Sequence, residues 1–153
     1  SNKLALSAKT LAGIKKLSAV SSKGWKVDWA TLEALNLSRL DNTVEWSSML
    51  KMVNIKRADF LLAPFQPRDD LSLQAEGRQY IPIPNIKIGL KGSRHFATSK
   101  LYPDAINIHK KLNKGLNILR ENGIIKKAYQ QSGFFNAKVK DWKKLPPSRE
   151  NYD

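Results

Sequence analysis

Cysteine is absent from the 153 residues. This excludes disulfides, thiol nucleophiles and zinc sites built on sulfur, while leaving the compartment open. No stretch approaches the roughly 18–20 consecutive apolar residues that a membrane helix needs. No basic-then-apolar leader opens the chain, and a start at Ser1-Asn2 without methionine implies a processed or trimmed N-terminus. Histidine occurs twice, at His95 and His109, too far apart to form a motif. Neither a His-Glu-x-x-His pair, nor a Gly-x-Ser-x-Gly elbow, nor a Walker-type phosphate loop is present. With no acid/base pair, the expectation is a non-catalytic chain with neither metal nor cofactor.

Acidic residues are also scarce, 13 Asp and Glu against 27 Lys and Arg, for a net charge of +14. The excess is uneven. Residues 1–85 carry 12 basic against 8 acidic side chains, and residues 86–153 carry 15 against 5. Such a surplus attracts nucleic acid, anionic lipid or acidic ligands over long range. The lysines are nevertheless scattered along helical segments instead of gathered in one run, as on a solvated basic surface.

Hydrophobic content of 41% is enough for one ordinary core. Gly13 reads as a turn before a short strand at about Lys16–Ser21, and Ser21-Ser-Lys-Gly24 is a compact polar loop. A helix over about Lys26–Asn36 follows, with Val27, Ala30, Leu32 and Leu35 for an apolar face. Leu40–Val44 reads as a second strand, Glu45–Ile55 as a helix carrying Trp46, Met49, Leu50 and Val53, and Arg57–Ala63 as a third strand closed by Pro64. Strand, helix, strand, helix, strand in this order argues for parallel strands joined by crossover helices. Pro67–Gly77, which includes Asp69-Asp70, reads as a loop. Ile86–Leu90 alternates like a strand. Pro103 opens a helix whose stripe is Ala105, Ile108, Leu112, Leu116 and Leu119. Asn122-Gly123 ends it, Ile124–Gln131 is a second helix, and Trp142 can anchor the tail to the surface.

One stretch has recognisable binding chemistry. The backbone N–H groups of Ser21, Ser22, Lys23 and Gly24, with the first turn of the next helix, can hold an anion. Lys23 adds charge, the two serines add hydroxyls, and Trp25 can stack on a planar or apolar group. Arg94 and His95 sit at a strand-like position that can also meet a ligand. His109 lies at the edge of a helical stripe and reads as structural.

Several of these landmarks together resemble a known family. Leu11-Ala-Gly-Ile-Lys-Lys-Leu17, the strand and loop from Leu17 to Trp25, and Lys56-Arg57-Ala-Asp59-Phe-Leu-Leu62 follow its order. So do His95-Phe-Ala-Thr-Ser-Lys100, Leu112-Asn-Lys-Gly-Leu116 and Asn122-Gly-Ile-Ile-Lys-Lys-Ala-Tyr129. The pattern is similar to the periplasmic solute-binding proteins of bacterial ABC transporters, of type 2 and the amino-acid-binding family 3. It covers about residues 11–132.

The resemblance implies an α/β three-layer sandwich with a mostly parallel sheet, the second lobe of such a protein. Residues 1–94 would form the lobe, and 95–153 a crossover strand and C-terminal helices that pack on the first lobe. It implies a periplasmic, non-catalytic solute binder feeding an ABC transporter permease. The implied ligand contacts are Ser21, Ser22, Lys23, Gly24, Trp25, Arg94 and His95, and the basic pair Lys23 and Arg94 favours an anionic solute. Two departures stand out. Pro64 falls where the family usually has an aspartate for a ligand amino group, and the arginine-bearing first lobe is missing. The stripe Ile108, Leu112, Leu116 and Leu119 should then pack on the remaining lobe, a second copy or an N-terminal fragment, since burying each such side chain is worth about 1.5–3 kcal/mol. An extracytoplasmic sensor domain fits the same pattern. A nucleic-acid-binding domain accounts for the charge but not for the motifs.

Overall fold

The computed structural model describes residues 2–90 and 95–145. Two short helices lead in. Asn2 caps α1 (Lys3–Ser7) by accepting the Ala5 N–H, and Thr10 caps α2 (Leu11–Lys15) by accepting the Gly13 N–H. Short polar side chains at these positions satisfy first-turn donors that have no partner inside the helix. Gly13 therefore lies within a helix, and not in the turn that its residue type suggests.

β1 (Ser18–Ser21) is buried along its whole length because strands flank it on both sides. β2 (Arg39–Asn42) runs parallel to it from Ser18↔Arg39 to Ser21↔Asn42. β3 (Phe60–Leu61) runs parallel on the other edge, through Ala19↔Phe60 and Val20↔Leu61. The crossovers are α3 (Lys26–Glu33) and α4 (Trp46–Asn54). Alternation along β1 sorts them. Ala19 joins Leu32 and Leu35 in one cluster with Ile14 and Leu17. Val20 points the other way, to Met49 of α4 and to Ala58. The two helices thus lie against opposite faces of the sheet. On α3, Leu32 is fully buried but Ala30 is exposed, and Thr31 and Asp28 take the inner positions instead.

Asp59 holds the near end of this sheet. Its carboxylate accepts the Ser18 N–H at 2.7 Å and the Ser18 hydroxyl at 2.8 Å, and the Asn2 amide also donates to it. Burial alone would raise this carboxyl, but the Ser18 and Asn2 hydrogen bonds outweigh it and hold the group below the ordinary carboxylate range.

The strands are shared among three small sheets instead of one. Within the span expected to be a loop, Leu73–Ala75 is a strand, β4, paired antiparallel with β5 (Arg78–Tyr80). Glu76 and Gly77 both have positive φ, +50° and +65°. That is the two-residue turn whose twist matches a hairpin. β6 (Ile86–Ile88) occurs where alternation predicts a strand.

α5 (Ala105–Glu121) and α6 (Ile124–Gln131) form a helical pair, separated by Gly123 in the left-handed conformation as its residue type predicts. The chain then returns through a 3-10 turn at Ala137–Val139. It adds β7 (Lys143–Leu145) parallel to β6, pairing Ile86↔Lys143 through Ile88↔Leu145. Leu145 enters the same core as Ile86, and Trp142 meets Phe65 edge-on with ring centroids 5.5 Å apart. The tail is therefore built into the core. The stripe on α5 is not: Ala105 alone is buried, Leu112 and Leu116 are half-buried, and Ile108 and Leu119 are exposed. Among the described residues no helix is long and apolar enough to cross a membrane.

Candidate functional site

The order β2-β1-β3 makes β1 the point where the connections change direction, one crossover leaving to each side. In open parallel sheets a crevice forms outside the carboxyl ends of the strands at such a point. The loop Ser21–Trp25 emerges there, between β1 and α3.

Hydrogen bonding determines what that loop can offer. The Lys23 N–H donates to Asn42 Oδ1 at 2.8 Å, the Gly24 N–H to Ser22 Oγ at 3.2 Å, and the Trp25 N–H to the Ser22 carbonyl at 3.0 Å. The Ser21 carbonyl accepts the Thr43 N–H at 3.0 Å. The N–H groups of Lys23 and Gly24, expected to face an anion, are thus already used within the protein, as is that of Trp25. Asn42, at the end of the parallel neighbour β2, takes the Lys23 N–H, and Ser22 takes the other two within the loop. Ser21 and Ser22 are only 2% and 4% exposed, so both serve the loop's interior.

What faces outward is the set of side chains around them. Lys23 is exposed, with its ammonium 5.5 Å from the centre of the Trp29 ring, a cation–π arrangement. Trp25, 39% exposed, lies 6.1 Å from Trp46 with their planes tilted by 36°. Trp25 precedes the first turn of α3 and Trp46 begins α4. Helices on opposite faces of the sheet thus start at one edge and bring their first indoles together. Asn42 and Trp46 are the residues that sequence reasoning missed. The signal for Trp46 was its place at the start of a helix that follows a parallel strand, and the signal for Asn42 was a polar strand end.

The remaining expected contacts separate from this group. Arg94 lies outside the described residues. His95 is exposed on the irregular stretch leading to α5. His109, exposed on α5, bonds to the Asn113 side chain at 2.9 Å, as a surface residue would. Asp69 and Asp70 are both occupied. The Lys138 ammonium, 2.7 Å away, donates to Asp69 and holds its carboxyl below the ordinary range. The Ser72 N–H and then its hydroxyl do the same for Asp70. Among the described residues no group of three His, Cys, Asp or Glu side chains could hold a metal ion.

Two open clefts lie elsewhere. One of about 260 Å³ surrounds the start of α5 at Lys100, Tyr102, Asp104 and Lys110. The other, about 390 Å³, runs between Pro67–Asp69 and Phe135–Lys138. Neither touches the loop at Ser21–Trp25. Comparison with protein-family models, with curated proteins and with solved structures gives no match.

Proposed function

We propose that the chain is one lobe of a periplasmic solute-binding protein that captures a small anionic solute for ABC-type import. On this reading it performs no chemistry of its own. The observation that carries it is the position of the Lys23–Trp25 turn at the carboxyl edge of β1, where the crossovers diverge. The opposite-face helices extend the α/β arrangement toward the three-layer sandwich of such a lobe. A turn lying on an open surface suits one jaw of a clamp, because the second jaw would complete the enclosure by hinge closure. The half-exposed stripe Ile108, Leu112, Leu116 and Leu119 is then the seat for the remaining lobe, a second copy or an N-terminal fragment. A permease would be the partner in import, and an extracytoplasmic sensor would use the same grip.

A ligand that binds only the folded state raises its melting temperature by mass action. Small carboxylates at millimolar concentration should raise the melting temperature of the chain, and Lys23→Ala should remove the shift. Unchanged melting across a panel of mono- and dicarboxylates, at concentrations up to tens of millimolar, would overturn the reading.

The basic charge supports a second reading, a nucleic-acid-binding domain. Lys110, Lys111, Lys114, Arg120, Lys126 and Lys127 are all exposed on α5 and α6, and Glu121 is the single acidic residue in that span. Duplex DNA binding that weakens steeply and linearly with log salt would favour it.

A further inference from the structure

Three of the four tryptophans of the chain, Trp25, Trp29 and Trp46, gather at the carboxyl edge of the parallel sheet. Helices beginning on opposite faces supply them. Tryptophan carries a large apolar area that a lobe of this size would ordinarily bury. Here Trp25 remains 39% exposed and Trp46 is half-buried, so indole area stays open to solvent beside the loop that carries the exposed Lys23.

The loop's backbone donors add little to recognition, since those of Lys23, Gly24 and Trp25 are already bonded inside the protein. Charge recognition therefore falls to Lys23. Of the acids in these elements, Asp41 is paired with Arg39 at 3.0 Å, Asp28 is buried in the first turn of α3, and Glu45 immediately precedes Trp46 at the start of α4.

We infer that the ligand of this site is an aromatic carboxylate, its ring lying on the Trp25–Trp46 surface and its carboxylate meeting the Lys23 ammonium. The inference rests on the solute-binding reading above and narrows it to one class of solute. Ring-on-indole contact supplies the selectivity. Aromatic pairs gain more than their buried area alone accounts for, so a saturated ring of equal size and charge binds less well.

The test uses three matched probes on the intact chain: phenylacetate, cyclohexylacetate and phenethylamine. Binding is read by tryptophan fluorescence and by the shifts of the indole N–H resonances. Phenylacetate should bind about fivefold more tightly than cyclohexylacetate, and phenethylamine least. Trp25→Leu should erase the difference between the two acids while leaving their shared residual affinity. Lys23→Gln should weaken both acids alike and leave the fold intact by circular dichroism. Equal binding of the two acids overturns the aromatic class but keeps the anionic-solute reading. Failure of both acids to bind overturns the two together. Perturbation of the Trp142 resonance with Trp25 and Trp46 unmoved would place binding at another site and also overturn the inference.

Discussion

Asp59 shows how one side chain can tie two strands that are distant in sequence. Its carboxylate accepts from the Ser18 backbone and hydroxyl, joining the start of β1 to the approach to β3. Its pKa is depressed in the folded protein. The stabilisation is therefore present above the unfolded carboxylate value of about 4 and lost as pH falls through the lower folded value. Asp59→Asn keeps the shape but removes the charge. It should destabilise the protein by about 1–3 kcal/mol at neutral pH, with the gap to the parent shrinking below about pH 4. Urea denaturation at pH 7 and pH 3.5 measures both numbers. An equal loss at the two pH values would mean that the carboxylate charge plays no part.

Two glycines separate the elements into those held by packing and those held by helix formation. Gly133 has φ +80°, and a Cβ there would lie 2.6 Å from the Gln66 carbonyl carbon and the Pro67 nitrogen, which are backbone atoms. Gly133→Ala should cost about 1–3 kcal/mol from the backbone conformation alone. It should also loosen the segment that leads to β7, seen as faster proteolysis between residues 133 and 145. Gly115 sits in the interior of α5 with nothing within 4 Å of its Cβ position. Gly115→Ala should stabilise by about 0.5–1 kcal/mol, because alanine loses less backbone freedom on entering a helix. Chemical denaturation of the pair tests this. Destabilisation by Gly115→Ala would show that α5 has a close neighbour at that face.

At the scale of the whole molecule, burial and charge are distributed in opposite directions. The fully buried large side chains Ile14, Leu17, Leu32, Leu35, Met49 and Leu50 belong to the first half, with Leu145 reaching back to join them. The helical pair α5–α6 holds much of the positive charge and little of the core. Self-repulsion at +14 destabilises a compact state and is screened by salt. The melting temperature should therefore rise from low to physiological salt. Leu32→Ala should remove about 2–5 kcal/mol, whereas Leu119→Ala, at a position 38% exposed, should change stability by less than about 1 kcal/mol. Equal losses for Leu32→Ala and Leu119→Ala in the isolated chain would mean that the α5 stripe is covered in solution.

Local pattern was sufficient for the elements whose signals are short-range. Helical spacing placed α4, α5 and α6, and residue type placed the left-handed exit at Gly123. The alternation of strand and helix over residues 16–63 foretold three parallel strands with crossovers, now seen as β2-β1-β3. The β4–β5 hairpin escaped because each strand is three residues long, too short for alternation to register, and its turn is Glu76-Gly77 and not a more familiar asparagine–glycine pair. Of the site, Lys23 and Trp25 were legible as an exposed charge and ring. The role of Asn42 in occupying the Lys23 N–H was not, nor was the meeting of Trp25 with Trp46, since each joins residues about twenty positions apart. Such contacts arise when parallel strands end in register and helices on opposite faces start from one edge. The sequence by itself determined the crossover helices, the helical pair and the order along the chain of the three parallel strands, because their signals lie in neighbouring residues. Only the tertiary structure decided that Asn42 takes the Lys23 N–H and that Trp25 meets Trp46, because both depend on how the strands are ordered in the sheet.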